Sequence, residues 1–348
     1  MLRVGIAGLG FMGMIHYLSY QKVRGVKVAA ICEQTRKRLT GDWRDIKGNF
    51  GPSGTRMDLS GIATYDNLDA MLDDPQIDMV DVTLPPAMHA DIVCKALRKG
   101  KHVFCEKPMA LKLADCRRMV AAAQKANRQL MVGHVLPLLP EYAWARKVID
   151  TGRYGKLLGG SFRRVISDPA WLRHYWNADV IGGPMLDLHI HDAHFIRLLF
   201  DMPTAVSTTG RTRGKLAEYW TTQFRFKQNF AVTATSGTIN QQGRSFDHGF
   251  EIHLEKATLL FQFAVIGDQA EYLCPPTILD DRGKAKPAKM PAGDPMMNAF
   301  QAELKAVVQA VNTEKKNGVL GADLARDAIA ICQAQTKSLR QGKMVSLK

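Results

Sequence analysis

Arg3-Val4-Gly5-Ile6-Ala7-Gly8-Leu9-Gly10-Phe11-Met12-Gly13 sets a short apolar run directly before a Gly-x-Gly-x-x-Gly turn. The run suits a strand buried on both faces, and a helical pattern follows from Met12 to about Gln21. Val26 to Cys32 reads as a second strand, with Glu33 at its end, twenty residues past Gly13. A glycine triplet alone is a weak signal. Between a strand and a helix, with an acidic residue closing the next strand, it becomes a dinucleotide fingerprint over Gly8, Gly10, Phe11, Met12 and Gly13. The glycines let backbone approach a pyrophosphate, and the helix N-terminus offers unpaired N–H groups to its charge. Glu33 is placed to accept hydrogen bonds from ribose hydroxyls. Its carboxylate repels a 2′-phosphate, which favours NAD. Arg36, Lys37 and Arg38 follow within a turn, so NADP stays open.

The same alternation continues outward. Met79 to Thr83, His102 to Cys105 and Gln129 to Gly133 read as strands, each preceded by a helix-like segment. One such segment, Ala87 to Lys99, is closed by Gly100, a suitable C-cap. Alternating strands and helices imply a doubly wound parallel sheet, a Rossmann domain over residues 1–134. The stretch from Thr40 to Ile62 is long and glycine-rich for a connection in such a domain. Beyond Gly133 the pattern changes. After a helix from about Glu141 to Asp150, strand-like runs follow without regular helices, which suggests an antiparallel sheet. Asp280 to Asp294 reads as a surface loop, and Met297 to about Leu339 returns to helical periodicity. Residues 135–348 are therefore expected to form one α+β domain for substrate binding and assembly.

Composition excludes several classes. The 348 residues are 46% hydrophobic and 23% charged, ordinary for a globular protein of two domains. No apolar stretch approaches the ~18 residues of a membrane span. The net charge of +14 is divided evenly: residues 1–134 carry 20 Lys+Arg against 13 Asp+Glu, the rest 27 against 20. A nucleic-acid footprint is a clustered patch, so none is expected, and the excess suits capture of anionic cofactors or substrates. Six scattered cysteines without a CxxC pair read as free thiols. Leu2 to Ala7 runs straight into a strand where a signal peptide would lie, so a cytoplasmic location is expected.

Glu106-Lys107-Pro108 lies at the C-terminal edge of the fourth strand, where ligands bind in such sheets. Gly182-Gly183-Pro184-Met185-Leu186-Asp187-Leu188-His189-Ile190-His191-Asp192 reads as the start of a helix, with Asp187 and His191 four apart on one face. An imidazole beside a carboxylate is a natural general base near neutral pH. Together with Thr83, Pro85, Pro86 and His89, these motifs resemble, in order and spacing, the Gfo/Idh/MocA family (glucose–fructose oxidoreductase and inositol dehydrogenase relatives). The resemblance implies a second domain with an open-faced, mainly antiparallel sheet, assembly as a homodimer or homotetramer, and NAD(P)-dependent hydride transfer at a carbon of a sugar, cyclitol or related polyol. It further implies that Lys107 bonds the reacting oxygen, that His191 handles the proton and that Asp187 orients it. Thr83, Pro85, His89 and Glu106 line the cofactor by the same likeness, Glu106 near the nicotinamide ribose. Two other outcomes stay open: transient oxidation within a glycosidase or epimerase reaction, and a non-catalytic NAD-binding sensor.

One departure stands out. Pro137 follows Gly133-His134-Val135-Leu136, where relatives carry an Arg, which leaves the substrate open. His134, Arg163, Trp176 and Asn177 are further substrate candidates, and Trp171 and Tyr175 share the aromatic stretch. Arg163 and Arg164 alternate faces of a strand, so at most one points at a cleft. His189 and His191 point to nearly opposite helix faces, so no metal is expected there, and a packed His189 or His194 is the better reading.

Overall fold

The computed structural model describes residues 1–169, 172 and 174–347. These fall into two compact units, Met1–Leu139 with Ala292–Arg326, and Pro140–Pro291 with Asp327–Lys348.

In the first unit, β1 (Leu2–Ala7), α1 (Phe11–Tyr20), β2 (Val26–Cys32), α2 (Arg36–Leu39), β3 (Ala63–Tyr65), α3 (Leu68–Asp73) and β4 (Met79–Val82) lead on to α4 (Pro86–Arg98), β5 (His102–Glu106), α5 (Leu113–Ala126) and β6 (Leu130–Gly133). The six strands are all parallel, in the order β3-β2-β1-β4-β5-β6. The order reverses between β1 and β4, the switch point that opens a crevice at the strands' carboxyl ends. Buried Val4, Ile6, Met79 and Phe104 explain the near-continuous apolar runs. The long connection after α2 is folded rather than loose. Trp43 is fully buried, its indole N–H donates to the Arg38 carbonyl, and the backbones of Asp42 and Arg56 form an isolated antiparallel β-bridge.

The second unit opens with α6 (Pro140–Asp150), β7 (Leu157–Ser167), α7 (Gly183–Asp187) and α8 (Ile190–Phe200). There follow β8 (Ala205–Arg213), β9 (Leu216–Arg225), β10 (Ala231–Ile239), β11 (Arg244–Leu254), β12 (Ala257–Ile266), β13 (Gln269–Asp280) and β14 (Ala285–Pro287). After α9 (Pro295–Thr313) and α10 (Ala322–Gln341), β15 (Val345–Ser346) completes a nine-stranded sheet in the order β14-β13-β12-β11-β7-β10-β9-β8-β15. Every pair is antiparallel except β7 with β10. On α8, Phe195 and Phe200 meet Phe162 of β7, with ring centroids 6.1 and 6.2 Å apart. β13, next to the short edge strand β14, leaves Tyr272, Leu273 and Leu279 exposed.

Three expectations need correction. The second domain does not run unbroken from residue 135 to 348, because 292–326, with all of α9, belongs to the first unit. On α9, Phe300, Leu304, Val307, Val308 and Val311 recur at helical spacing, and Leu304, Val307, Val308 and Val311 join the core of Val4, Ile6, Met14 and Tyr17. The segment from Asp280 to Asp294 is not wholly loop, since Ala285–Pro287 pairs with β13. The stretch carrying Asp187 and His191 is not one helix. α7 ends at Asp187 and α8 starts at Ile190. Leu188 (φ −99°, ψ −59°) and His189 (φ −73°, ψ −18°) between them keep right-handed helical dihedrals, but the His189 amide donates back to the Pro184 carbonyl, so the hydrogen-bond ladder slips by one residue.

Candidate active site

The turn between β1 and α1 is built as its glycines require. Gly8 has φ +96°, in the left-handed region. A Cβ on Gly13 would lie 2.2 Å from the Gly8 carbonyl oxygen, so no side chain fits where α1 meets the turn. The Thr83 hydroxyl donates to that same carbonyl at 2.6 Å, clasping the turn from the end of β4. At Gly10, the N-cap of α1, a Cβ would meet no protein atom within 4 Å, and no side chain caps the helix. The result is a cradle of backbone at a helix N-terminus, the chemistry that takes a phosphate group. Phe11 and Met12 continue it as the first helical residues.

Glu33 closes one side. Its carboxylate accepts from the Leu9 amide at 2.8 Å and from the Thr35 amide at 2.9 Å, which ties the end of β2 to the glycine turn. Arg38 donates to the Leu9 carbonyl at 2.9 Å and to Asp45 at 2.8 Å, and Lys37 lies 3.4 Å from Asp45. Arg38 and Lys37 hold the Asp45 carboxyl below the usual range, the Arg38 hydrogen bond contributing most. The long connection thus supplies a carboxylate that occupies these cations.

Pro85 is the N-cap of α4, and His89 lies on its buried side. The His89 ring sits between the Leu84 carbonyl at 2.7 Å and the Pro108 carbonyl at 3.0 Å, one of which takes its N–H. Burial lowers its pKa, so the ring is neutral near pH 7. His89 therefore links the segment after β4 to the Glu106-Lys107-Pro108 loop, where the Lys107 amide donates to the Glu106 carboxylate at 3.0 Å. His134, just past β6, is buried.

Three residues join this end of the sheet that sequence reasoning missed. His16 of α1 is fully buried, with Nδ1 2.9 Å from Asp81 and Nε2 3.1 Å from Glu106. Burial opposes its charge, but Asp81 and Glu106 outweigh it and raise the pKa well above the usual value. Glu303 of α9 is buried beside them, and burial first, then the Glu106 charge, pushes its carboxyl well up. The available signals were an aspartate inside an apolar strand and a glutamate on an apolar helix stripe.

In the second unit, Asp187 ends α7 and His191 stands in the first turn of α8. His189, between them, is fully buried between Ser236 at 2.7 Å and Gln335 at 3.2 Å, a packed histidine as expected. Burial brings its pKa down to about 4. The other substrate candidates hold local partners. Arg163 pairs with Asp247 at 2.7 Å, while buried Arg164 pairs with Asp192 of α8 at 2.6 Å. The Trp176 indole donates to Asp168 at 2.9 Å and stacks beneath Arg213, and the exposed Asn177 side chain accepts from the Asp179 amide. Trp171 lies outside the described residues.

A model of the oxidoreductase family with NAD-binding Rossmann fold matches residues 2–134, and one of the GFO/IDH/MocA C-terminal domain matches residues 142–260. Levoglucosan dehydrogenase of Pseudarthrobacter phenanthrenivorans is 28% identical over 318 residues, 78% of each protein. Inositol 2-dehydrogenase/D-chiro-inositol 3-dehydrogenase of Lactiplantibacillus plantarum is 32% identical over 160 residues, 45% of this chain and 42% of that protein. Several curated relatives are matched over less than half of their length. A solved structure of levoglucosan dehydrogenase with NADH and levoglucosan superposes with a TM-score of 0.81, at 20% identity and 99% coverage of both chains, and shares the fold. The glycine cradle, the order of the first sheet and both matching models agree: the chain belongs to the Gfo/Idh/MocA family of NAD-binding oxidoreductases.

Proposed function

We propose that the protein is an NAD-dependent dehydrogenase of a sugar, cyclitol or related polyol. The observation that carries this reading is the open backbone cradle at Gly10, with Glu106 and Lys107 at the carboxyl end of the same sheet. Gly8, Gly10, Phe11, Met12 and Gly13 hold the pyrophosphate and Glu33 the adenosine ribose. Thr83 and Pro85 belong to the segment that lines the cofactor, braced from behind by buried His89, and Glu106 stands near the nicotinamide ribose. NAD supplies the hydride acceptor. The Lys107 ammonium hydrogen-bonds the substrate oxygen and stabilises its developing negative charge, His191 takes the hydroxyl proton, and Asp187 orients the imidazole. His134, Arg163, Trp176 and Asn177 are secondary candidates for substrate contact. The levoglucosan and inositol dehydrogenases among the relatives support this substrate class.

NAD is preferred over NADP on this reading, because Asp45 holds Arg38 and Lys37 beside the Glu33 carboxylate. Exposed Leu273 and Leu279 on β13 support a homodimer or homotetramer through the sheet. The six free cysteines support a reducing, cytoplasmic setting. Among the described residues no helix is long and apolar enough to cross a membrane. The test is a panel of sugars and cyclitols followed by NADH absorbance. NADH formation with a polyol is expected. NAD that survives desalting, with substrate conversion but no net NADH, would point instead to transient oxidation.

A further inference from the structure

Four ionisable side chains meet inside the first unit: His16 and Asp81 fully buried, Glu106 nearly so, and Glu303 fully buried. They come from α1, β4, β5 and α9. Such a cluster is costly to keep out of water unless each charge is matched. Here one imidazolium serves two carboxylates. Protonated His16 donates from one ring nitrogen to Asp81 and from the other to Glu106. The ring is wedged between Phe104 and Phe300, at centroid distances of 5.5 and 5.9 Å. Both Glu106 carboxylate oxygens are engaged. One oxygen meets His16 and the other accepts the Lys107 amide, while a Cβ at Gly133 would come within 2.8 Å of the first. A core built only for stability gains little from fixing one carboxylate so completely.

We propose that His16 is a positioning residue for the nicotinamide half of the cofactor site: anchored by Asp81, it fixes the Glu106 carboxylate in the single arrangement that half requires. The proposal rests on the reading of Glu106 given above. Glu303 completes the cluster. Neither of its oxygens has a hydrogen-bond partner among the described residues, and burial together with the Glu106 charge pushes its carboxyl well up, away from a third negative charge beside Asp81 and Glu106. His16, Glu106 and Glu303 also place ligand atoms within 4.8 Å of one another, a spacing that a metal ion would satisfy as well.

The experiment compares NAD with ADP, which lacks the nicotinamide and its ribose, by calorimetric titration of the purified full chain. His16→Asn is expected to raise the Kd for NAD about tenfold while leaving that for ADP within about twofold. Asp81→Asn, which keeps the ring but removes its anchor, is expected to show the same split and serves if His16→Asn fails to fold. Equal weakening of both ligands, or of neither, would overturn the proposal. Glu106→Gln run alongside separates the layers. If Glu106→Gln discriminates between NAD and ADP and the His16 and Asp81 variants do not, the role of His16 falls alone. If Glu106→Gln treats both ligands alike, the reading of Glu106 falls and takes the proposal with it. A stoichiometric metal in the purified protein, removed by chelator together with the NAD preference, would replace the imidazolium by an ion and overturn the proposal too.

Discussion

At the scale of the residue, the proposed preference for NAD rests on Glu33 and Asp45. Glu33 is pinned by two backbone amides, so its carboxylate stays at the end of β2. Asp45 holds the two cations that could otherwise embrace a 2′-phosphate. Replacing Asp45 by Asn should therefore tighten NADP by about three- to tenfold, with NAD changed less than twofold, as read by titration of both cofactors. NADP tighter than NAD in the native protein would instead hand the role to Arg36, Lys37 and Arg38. The catalytic trio is tested at the same scale. On whichever polyol the panel identifies, His191→Ala should lower kcat by about 10²–10⁴-fold with NAD affinity nearly unchanged. Asp187→Asn should cost less, because the imidazole survives, and Lys107→Met should also cut turnover. Normal turnover in a folded His191→Ala variant would remove the mechanism and leave the cofactor site standing.

Elements decide where those residues stand. His189, in the slipped turn between α7 and α8, is fully buried and reports on this region. Its folded pKa of about 4 lies below the ordinary 6.5, so between these values the unfolded chain binds the proton and the folded chain does not. The stability it contributes is complete above pH 6.5, falls as pH drops towards 4, and amounts to about 3 kcal/mol. Urea titrations of His189→Asn should show a shallower loss of stability over that window than the native protein. On α9, Asp294 caps the helix by accepting from the Met296 and Met297 amides at 2.9 and 3.1 Å, with Pro295 at the first helical position. Replacing Asp294 by Ala should cost about 1 kcal/mol. Leu304→Ala, in the buried stripe, should cost about 2–5 kcal/mol, measured as a lowered urea midpoint.

For the whole molecule, the apolar residues on β13 set the expected assembly. Light scattering at micromolar concentration should give a multiple of 38.6 kDa, and Leu273→Glu should shift it towards a single chain. A mass of one chain in the native protein would remove the reading of that face. By itself the sequence determined the parallel sheet, its glycine turn, Glu33 and the placement of Lys107 at a strand's end. Those features are local: a strand buried on both faces, a turn that needs φ above zero and a helix start all leave their mark within about a dozen residues. Only the tertiary structure decided that α9 belongs to the first unit, since an apolar stripe specifies burial and not the partner that provides it. It also decided that the helical stretch carrying Asp187 and His191 slips by one residue between them, and that Arg163 and Arg164 pair with carboxylates of their own unit. The cluster around His16 shows why such features escape a sequence reading. His16 lies 65 residues from Asp81 and 90 from Glu106, and no periodicity spans such gaps. Folding alone brings these groups within hydrogen-bond distance, where exclusion of water makes each charge depend on its neighbours.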